Sequence, residues 1–229
     1  MPIPIPPFAP HAVVFDLDGV LVDTEGLWAQ AEEKVTVDLG GTWGPEVQHD
    51  MVGRGPVESA EVLARHTGHP DPVEVEARML EAALSVFAGN VRARAGAVAL
   101  VEALGRQVPL AVATNSRRSL ADQSLDAAGL GGAFAAVITA DDVRAAKPDP
   151  APYVAACMAI GIDPAWAVAF EDSPVGARSA QAAGCWVVGC PMAEHGALEA
   201  AHALVDDLSE VDVAALLAGS PTAAVPQCR

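Results

Sequence analysis

Short runs of apolar residues, almost free of polar interruption, recur along this chain: Ala12–Phe15, Val108–Ala113, Ala135–Ile138, Trp166–Phe170 and Cys185–Val188. A strand with one face in water alternates in polarity, whereas a strand covered on both faces is apolar throughout. These runs predict a parallel sheet between layers of helix. The helical patterns between them have readable ends. Ser116 precedes Arg117–Ala128 as an expected N-cap, and Gly129 follows as a stop. Asp149-Pro150 opens a helix ending near Gly161, and Ser173-Pro174 opens one ending at Gly184. Pro just inside a helix start and Gly just past its end is the favoured asymmetry.

One stretch breaks the alternation. From about Gly26 to Asn90 only helical patterns occur, namely Trp28–Leu39, Val57–His66 and Val73–Phe87. The strand signal stops after Asp18 and resumes at Val108. A structureless connection of that length is rare in a compact domain, so it reads as an inserted helical unit. The expected fold is α/β: a Rossmann-like parallel sheet flanked by helices, with a small all-helical cap domain inserted after the first strand. Residues 11–25 and 91–218 would form the core and 26–90 the cap. A proline-rich arm at 1–10 and a tail at 219–229 are expected to be flexible.

Composition narrows the partners. Apolar residues make up 52% of the 229 residues and aromatics 4%, so the core must be built from Ala, Val and Leu. The formal net charge of -17 disfavours nucleic acid and anionic lipid as partners. An anionic substrate then needs local positive charge, from a metal or a few placed basic groups. The opening Met1–Pro7 has no basic residue and its prolines forbid a continuous apolar helix, so no secretory signal is read there. No uncharged stretch reaches the roughly 18 residues of a membrane span. Cys157, Cys185, Cys190 and Cys228 have no Cys-x-x-Cys spacing, so zinc is not expected and a reduced, cytoplasmic protein is. A monomer is the expected state, with a dimer as the alternative.

In an open parallel sheet, polar residues just beyond the strands converge on one crevice. Those residues are Asp16-Leu17-Asp18-Gly19, Thr114-Asn115-Ser116 and Glu171-Asp172, with Lys147-Pro148-Asp149-Pro150 before a helix. Clustered carboxylates coexist most easily around a hard divalent cation with oxygen ligands. Hydroxyl and N–H groups of Thr114 and Ser116, at a helix start, suit a phosphate oxygen. Only Lys34 and Lys147 of the 13 Lys and Arg residues are lysines, and a compact ammonium differs from a planar guanidinium where charged oxygens crowd. Singly, each group has a plainer reading: aspartates starting a turn, a loop lysine, a helix cap. In order, on successive strand ends, they favour a site. His66 and His69 are expected to satisfy terminal carbonyls, and Arg117 and Arg118 to be solvated.

The segment Phe15-Asp16-Leu17-Asp18-Gly19-Val20-Leu21-Val22-Asp23-Thr24-Glu25 resembles motif I of the haloacid dehalogenase superfamily. Thr114-Asn115-Ser116 resembles motif II, Lys147-Pro148-Asp149-Pro150 motif III, and Glu171-Asp172-Ser173-Pro174 with Gly176 motif IV. The chain is most similar to the branch of β-phosphoglucomutase-like proteins and sugar-phosphate phosphatases, with a cap after motif I. The resemblance implies a Mg2+-dependent hydrolysis of a small phosphate ester. Asp16 would be the nucleophile and become an aspartyl phosphate, and Asp18 the acid and base. Thr114, Asn115 and Lys147 would hold the phosphoryl oxygens. Asp16, the Asp18 carbonyl and Asp172 would hold Mg2+, with Glu171 direct or through water. The run from Asp23 to Trp28 looks like the start of sugar-phosphate phosphatases, so Glu25 and Trp28 are candidate specificity residues, with Arg54 of the Gly53-Arg54-Gly55-Pro56 loop. Mutases of this branch carry a histidine where Trp28 aligns and use cap arginine and lysine groups, whereas Lys34 is the only lysine before Lys147 here, and both departures weaken that rival. A haloalkanoate dehalogenase lacks the second aspartate, and a receiver-type signalling module is shorter and lacks the insert.

Overall fold

The computed structural model describes residues 5–51, 54–191 and 197–219. Its strands are β1 (Ala12–Phe15), β2 (Val22–Asp23), β3 (Arg92–Ala93), β4 (Leu110–Ala113), β5 (Ala136–Ile138), β6 (Ala167–Glu171), β7 (Trp186–Gly189) and β8 (Ala203–Leu204). Its helices are α1 (Glu25–Asp38), α2 (Pro45–Met51), α3 (Pro56–Thr67), α4 (Pro72–Phe87), α5 (Ala97–Gly105), α6 (Arg118–Ala127), α7 (Ala151–Ala159), α8 (Pro174–Ala183) and α9 (Val213–Ala218).

Six strands form one sheet in the order β5-β4-β1-β6-β7-β8, with every pairing parallel. This is the expected Rossmann-like α/β fold. The two faces of the sheet differ in side-chain size. Val13, Phe15, Val112, Val168 and Phe170 point to one face, where the Phe15 and Phe170 rings stack at 5.1 Å. Ala12, Val14, Ala111, Ala113, Ala167 and Ala169 point to the other. The period of two in a strand sorts them this way. The alanine face lets α7 pack directly on β1, β4 and β5, and α7 carries the fully buried Tyr153.

The four helices α1–α4 lie between β2 and β3, which pair antiparallel as a two-stranded ribbon. Neither β2, β3 nor α2 is legible in the hydrophobic pattern, because two-residue strands and a seven-residue helix carry no period. Helices α1 and α3 both pack on α4. Helix α4 also meets α6 of the sheet layer, where Gln123 Nε2 donates to the Leu84 carbonyl at 3.2 Å. Of the expected N-terminal arm, Phe8 packs edge-on against Trp166 at 5.5 Å. Residues 1–4 of that arm and 220–229 of the tail lie outside the described residues.

Several helix ends follow the sequence. The Ser173 hydroxyl accepts from the Gly176 N–H at 3.0 Å, and Gly184 closes α8 with φ 98°. The expected Ser116 cap is a correction. The cap residue of α6 is Arg117, and the Arg118 N–H is satisfied instead by Asp141 Oδ2 at 2.8 Å. The Ser116 hydroxyl is engaged elsewhere, in the site.

Candidate active site

β1 delivers Asp16 to the carboxyl edge of the sheet, where its N–H continues the ladder to the Phe170 carbonyl at 3.0 Å. β6 delivers Glu171, and the chain turns there into α8. Lys147 lies between them. Its Nζ donates to Asp16 Oδ1 at 2.5 Å and to Glu171 Oε1 at 2.6 Å. Tyr153 Oη also donates to Glu171 Oε1, at 2.7 Å. Glu171 Oε2 accepts from the Asp172 N–H at 3.1 Å and from the Ser173 N–H and hydroxyl at 3.4 and 3.3 Å. Both oxygens of this wholly buried carboxylate are thus used within the protein.

The electrostatics follow from burial. Burial alone weakens the hold of Lys147 on its proton, but Asp16 and Glu171 outweigh it and keep the ammonium charged. Burial pushes the Asp16 carboxyl well above its usual range; Lys147 pulls it back, and Glu171, Asp172 and Asp18 push it up again. Oxygen atoms of Asp16, Glu171 and Asp172 lie within 4.8 Å of one another, all buried. Three carboxylates against one ammonium, offering only oxygen, fit a hard divalent cation such as Mg2+. Gly19 keeps this corner open. Its φ is 78°, and a Cβ there would lie 2.0 Å from Asp172 Oδ2, so an L-residue is excluded on both counts.

Asp18 has different surroundings. Its Oδ1 accepts from the Thr24 hydroxyl at 2.6 Å and from the Trp28 indole N–H at 3.1 Å. Its Oδ2 accepts from the Ser116 hydroxyl at 2.7 Å. One carboxylate is therefore oriented by the root of the helical insert, by α1, and by the loop after β4. Trp28 is both core and site, since its ring also packs edge-on against Phe87 at 5.3 Å.

Asp16, Asp18, Thr114, Asn115, Lys147 and Asp172 all face one cavity of about 210 Å³. Glu25, Trp28 and Arg54 line it from the helical insert, so nine of the ten sequence candidates share this cavity, and the wholly buried Glu171 stands behind its wall. Asn115 holds a main chain: its Oδ1 accepts from the Lys147 N–H at 2.9 Å. Thr114 Oγ1 accepts from the Ser116 N–H at 3.0 Å. Arg54 is exposed, and its Nε donates to the Asp50 carbonyl.

Some expectations differ from what is found. Arg117 is not simply solvated: it bridges Glu76 on α4 and Asp141 beyond β5, the latter at 2.7 Å. His66 and His69 do contact carbonyls, but those of Thr42 and Asp71 rather than of their own helix end. Tyr153 and Thr24 also contact site carboxylates, Glu171 and Asp18, although no motif marks their side chains. Tyr153 and Thr24 sit beside motifs III and I, and only direction in space marks them. Cys157, Cys185 and Cys190 are free and buried. Among the described residues, no helix is long and apolar enough to cross a membrane.

A parallel α/β sheet with an aspartate pair, a lysine and a second acidic pair at its carboxyl edge defines a class of phosphoryl-transfer hydrolase. Residues 10–184 match the family model of haloacid dehalogenase-like hydrolases, and the chain belongs to that family. It is 33% identical to validoxylamine A 7'-phosphate phosphatase from Streptomyces hygroscopicus subsp. limoneus, over 86% of this chain and 94% of that protein. It is 29% identical to a phosphorylated carbohydrates phosphatase from Thermotoga maritima, over 76% and 82%. The crystal structure of CbbY from Rhodobacter sphaeroides in complex with phosphate superposes with a TM-score of 0.80, at 27% identity, covering 90% of this chain and 99% of that one. The protein is a phosphomonoester hydrolase of this family.

Proposed function

We propose that the enzyme is a Mg2+-dependent phosphatase of a small phosphorylated carbohydrate or polyol, working through an aspartyl phosphate on Asp16. The relatives named as phosphatases of a validoxylamine phosphate and of phosphorylated carbohydrates support that substrate class. The observation that carries the reading is the division between two aspartates two residues apart. Asp16 is buried against Lys147, whereas Asp18 is oriented by Thr24, Trp28 and Ser116 toward the cavity.

In this reading an Asp16 oxygen attacks phosphorus while the Asp18 carboxyl gives its proton to the leaving oxygen. The phosphorus–oxygen bond to the alcohol breaks and the alcohol departs. Asp18 then takes a proton from water, whose oxygen displaces Asp16 and releases phosphate. Lys147, Thr114 and Asn115 meet the phosphoryl oxygens, where charge stabilisation lowers the barrier most. Asp16, Asp172 and the Asp18 carbonyl would hold Mg2+, which would supply the remaining positive charge. Glu171 serves as a positioning residue that holds the Lys147 ammonium. Helices α1–α4 act as the cap, hinged at the β2–β3 ribbon, and shut water out during transfer.

Asp18→Asn tests the division of labour. With an activated aryl phosphate the variant should release one equivalent of phenol in a burst and then turn over very slowly, because no base activates water. Wild-type steady-state rates for Asp18→Asn on a sugar phosphate would refute the acid–base role.

A further inference from the structure

The cavity wall contributed by α1 carries a carboxylate for which the hydrolytic reading has no use. Glu25, Trp28, Ala29 and Glu32 follow one another at helical spacing and all face the cavity. Trp28 is accounted for by Asp18 and Phe87. Glu32 is not. Among the described residues no side chain or N–H donates to its carboxylate, and no basic group pairs with it. Burial alone pushes its pKa up to about 7. Glu32 is half-buried, and a carboxylate that lines a substrate cavity with no protein donor is placed to accept from a ligand.

The charge of the whole cavity says what kind of donor. Its lining holds six carboxylates, Asp16, Asp18, Glu25, Glu32, Glu76 and Asp172, against three cations, Arg54, Arg117 and Lys147. A Mg2+ ion and a phosphate dianion cancel each other, so their arrival leaves the negative excess in place. Two of the three cations are already committed. Lys147 is held by Asp16 and Glu171, and Arg117 by Glu76 and Asp141. Arg54 is exposed, whereas Glu32 is half-buried. One turn before Glu32 stands the Trp28 indole, and a carboxylate beside an aromatic ring is a favourable setting for an ammonium.

We propose that Glu32 is a specificity-determining residue that binds a protonated amine on the leaving group, so that the preferred substrates are amine-bearing phosphate monoesters. The proposal rests on the phosphatase reading and refines its substrate class. It opposes a second phosphate or a carboxylate on the alcohol portion, because either would meet the excess negative charge. A neutral hydroxyl can also donate to Glu32, but without a formal charge it leaves the excess uncompensated.

The test compares matched probes within each enzyme form. ω-Aminoalkyl phosphates of increasing chain length are set against the corresponding ω-hydroxyalkyl phosphates, and glucosamine 6-phosphate against glucose 6-phosphate. Phosphate release gives kcat/KM for each. Flexible chains of several lengths let the amine reach the carboxylate wherever it sits along the cavity. Wild type should favour the amine of the best pair by about tenfold, the margin expected between charge-assisted and neutral hydrogen bonds. Glu32→Gln should bring that ratio to about one, and Glu32→Asp should keep part of it. The ratio is independent of any general loss of rate in a variant. No amine preference in any pair, or a preference that Glu32→Gln leaves unchanged, would overturn the proposal. Failure of wild type to hydrolyse p-nitrophenyl phosphate would instead overturn the phosphatase reading, a result visible without any amine probe.

Discussion

Gly→Ala inside a helix ordinarily stabilises a protein, by about 1 kcal/mol. At Gly176, the third residue of α8, the opposite sign is expected. A Cβ there would lie 1.8 Å from Glu171 Oε1 and 2.1 Å from its Cδ. A carboxylate at the end of a free side chain would step aside. This one cannot, because Lys147, Tyr153, Ser173 and the Asp172 N–H all bind it in a site without solvent. Gly176→Ala therefore displaces Glu171 and leaves Lys147 short of a partner. Disrupting a buried ion pair costs about 3–5 kcal/mol. Subtracting the helix gain leaves about 2–4 kcal/mol of net destabilisation. In a chain of this size that lowers Tm by roughly 5–15 °C. Circular dichroism melts read the stability, and hydrolysis of p-nitrophenyl phosphate reads the displacement of Lys147 as a lower kcat. Shortening the displaced side chain should relieve the clash. In a double-mutant cycle, Gly176→Ala with Glu171→Asp should be less destabilised than the sum of the two singles, by about 1 kcal/mol or more. An unchanged or raised Tm for Gly176→Ala, with wild-type kcat, would show that Glu171 does not hold Lys147 in this way.

Three further outcomes follow from the same geometry. Chelation should abolish hydrolysis and Mg2+ restore it, while Ca2+ inhibits through its looser, higher coordination; full activity in excess chelator would remove the metal from the mechanism. Glu32 is protonated in both folded and unfolded chains below about pH 4.5 and ionised in both above about 7, where only the folded state bears a partly desolvated charge. Its cost thus grows as pH rises between those values, so Glu32→Gln should stabilise by about 1–2 kcal/mol near pH 8, after discounting for partial exposure, and have no effect near pH 4. The wall around it also carries Glu25, Glu76, Arg54 and Arg117, and equal melting shifts at both pH values would contradict this account. Arg117→Ala removes the bridge between α4 and α6; amide exchange in α4 should quicken and KM for a phosphate ester should rise severalfold, whereas unchanged exchange would deny Arg117 a role in seating the insert.

The sequence alone determined the parts of this protein governed by local rules. Apolar runs such as Val13–Phe15 and Val168–Phe170 have one stable use, as strands covered on both faces, and the sheet follows from them. Asp16, Asp18, Lys147 and Asp172 stand just past such strands or open the next helix, so their convergence could be read from order along the chain. Tertiary structure decided what each side chain touches. Ser116 looked like a helix cap because a hydroxyl before a helix is usually one, yet a carboxylate 98 residues earlier in the chain claims it. Glu171 and Tyr153 meet because an alanine-rich sheet face lets α7 lie close, a matter of packing across layers. The β2–β3 ribbon is too short to carry a period, and it forms because the insert returns to where it left. Glu32 is an ordinary polar helix position in the sequence; only the fold half-buries it in the wall of the cavity. Periodicity and caps act within a few residues, but burial and partnership depend on chain segments far apart, and the different surroundings of Asp16 and Asp18 belong to that second kind.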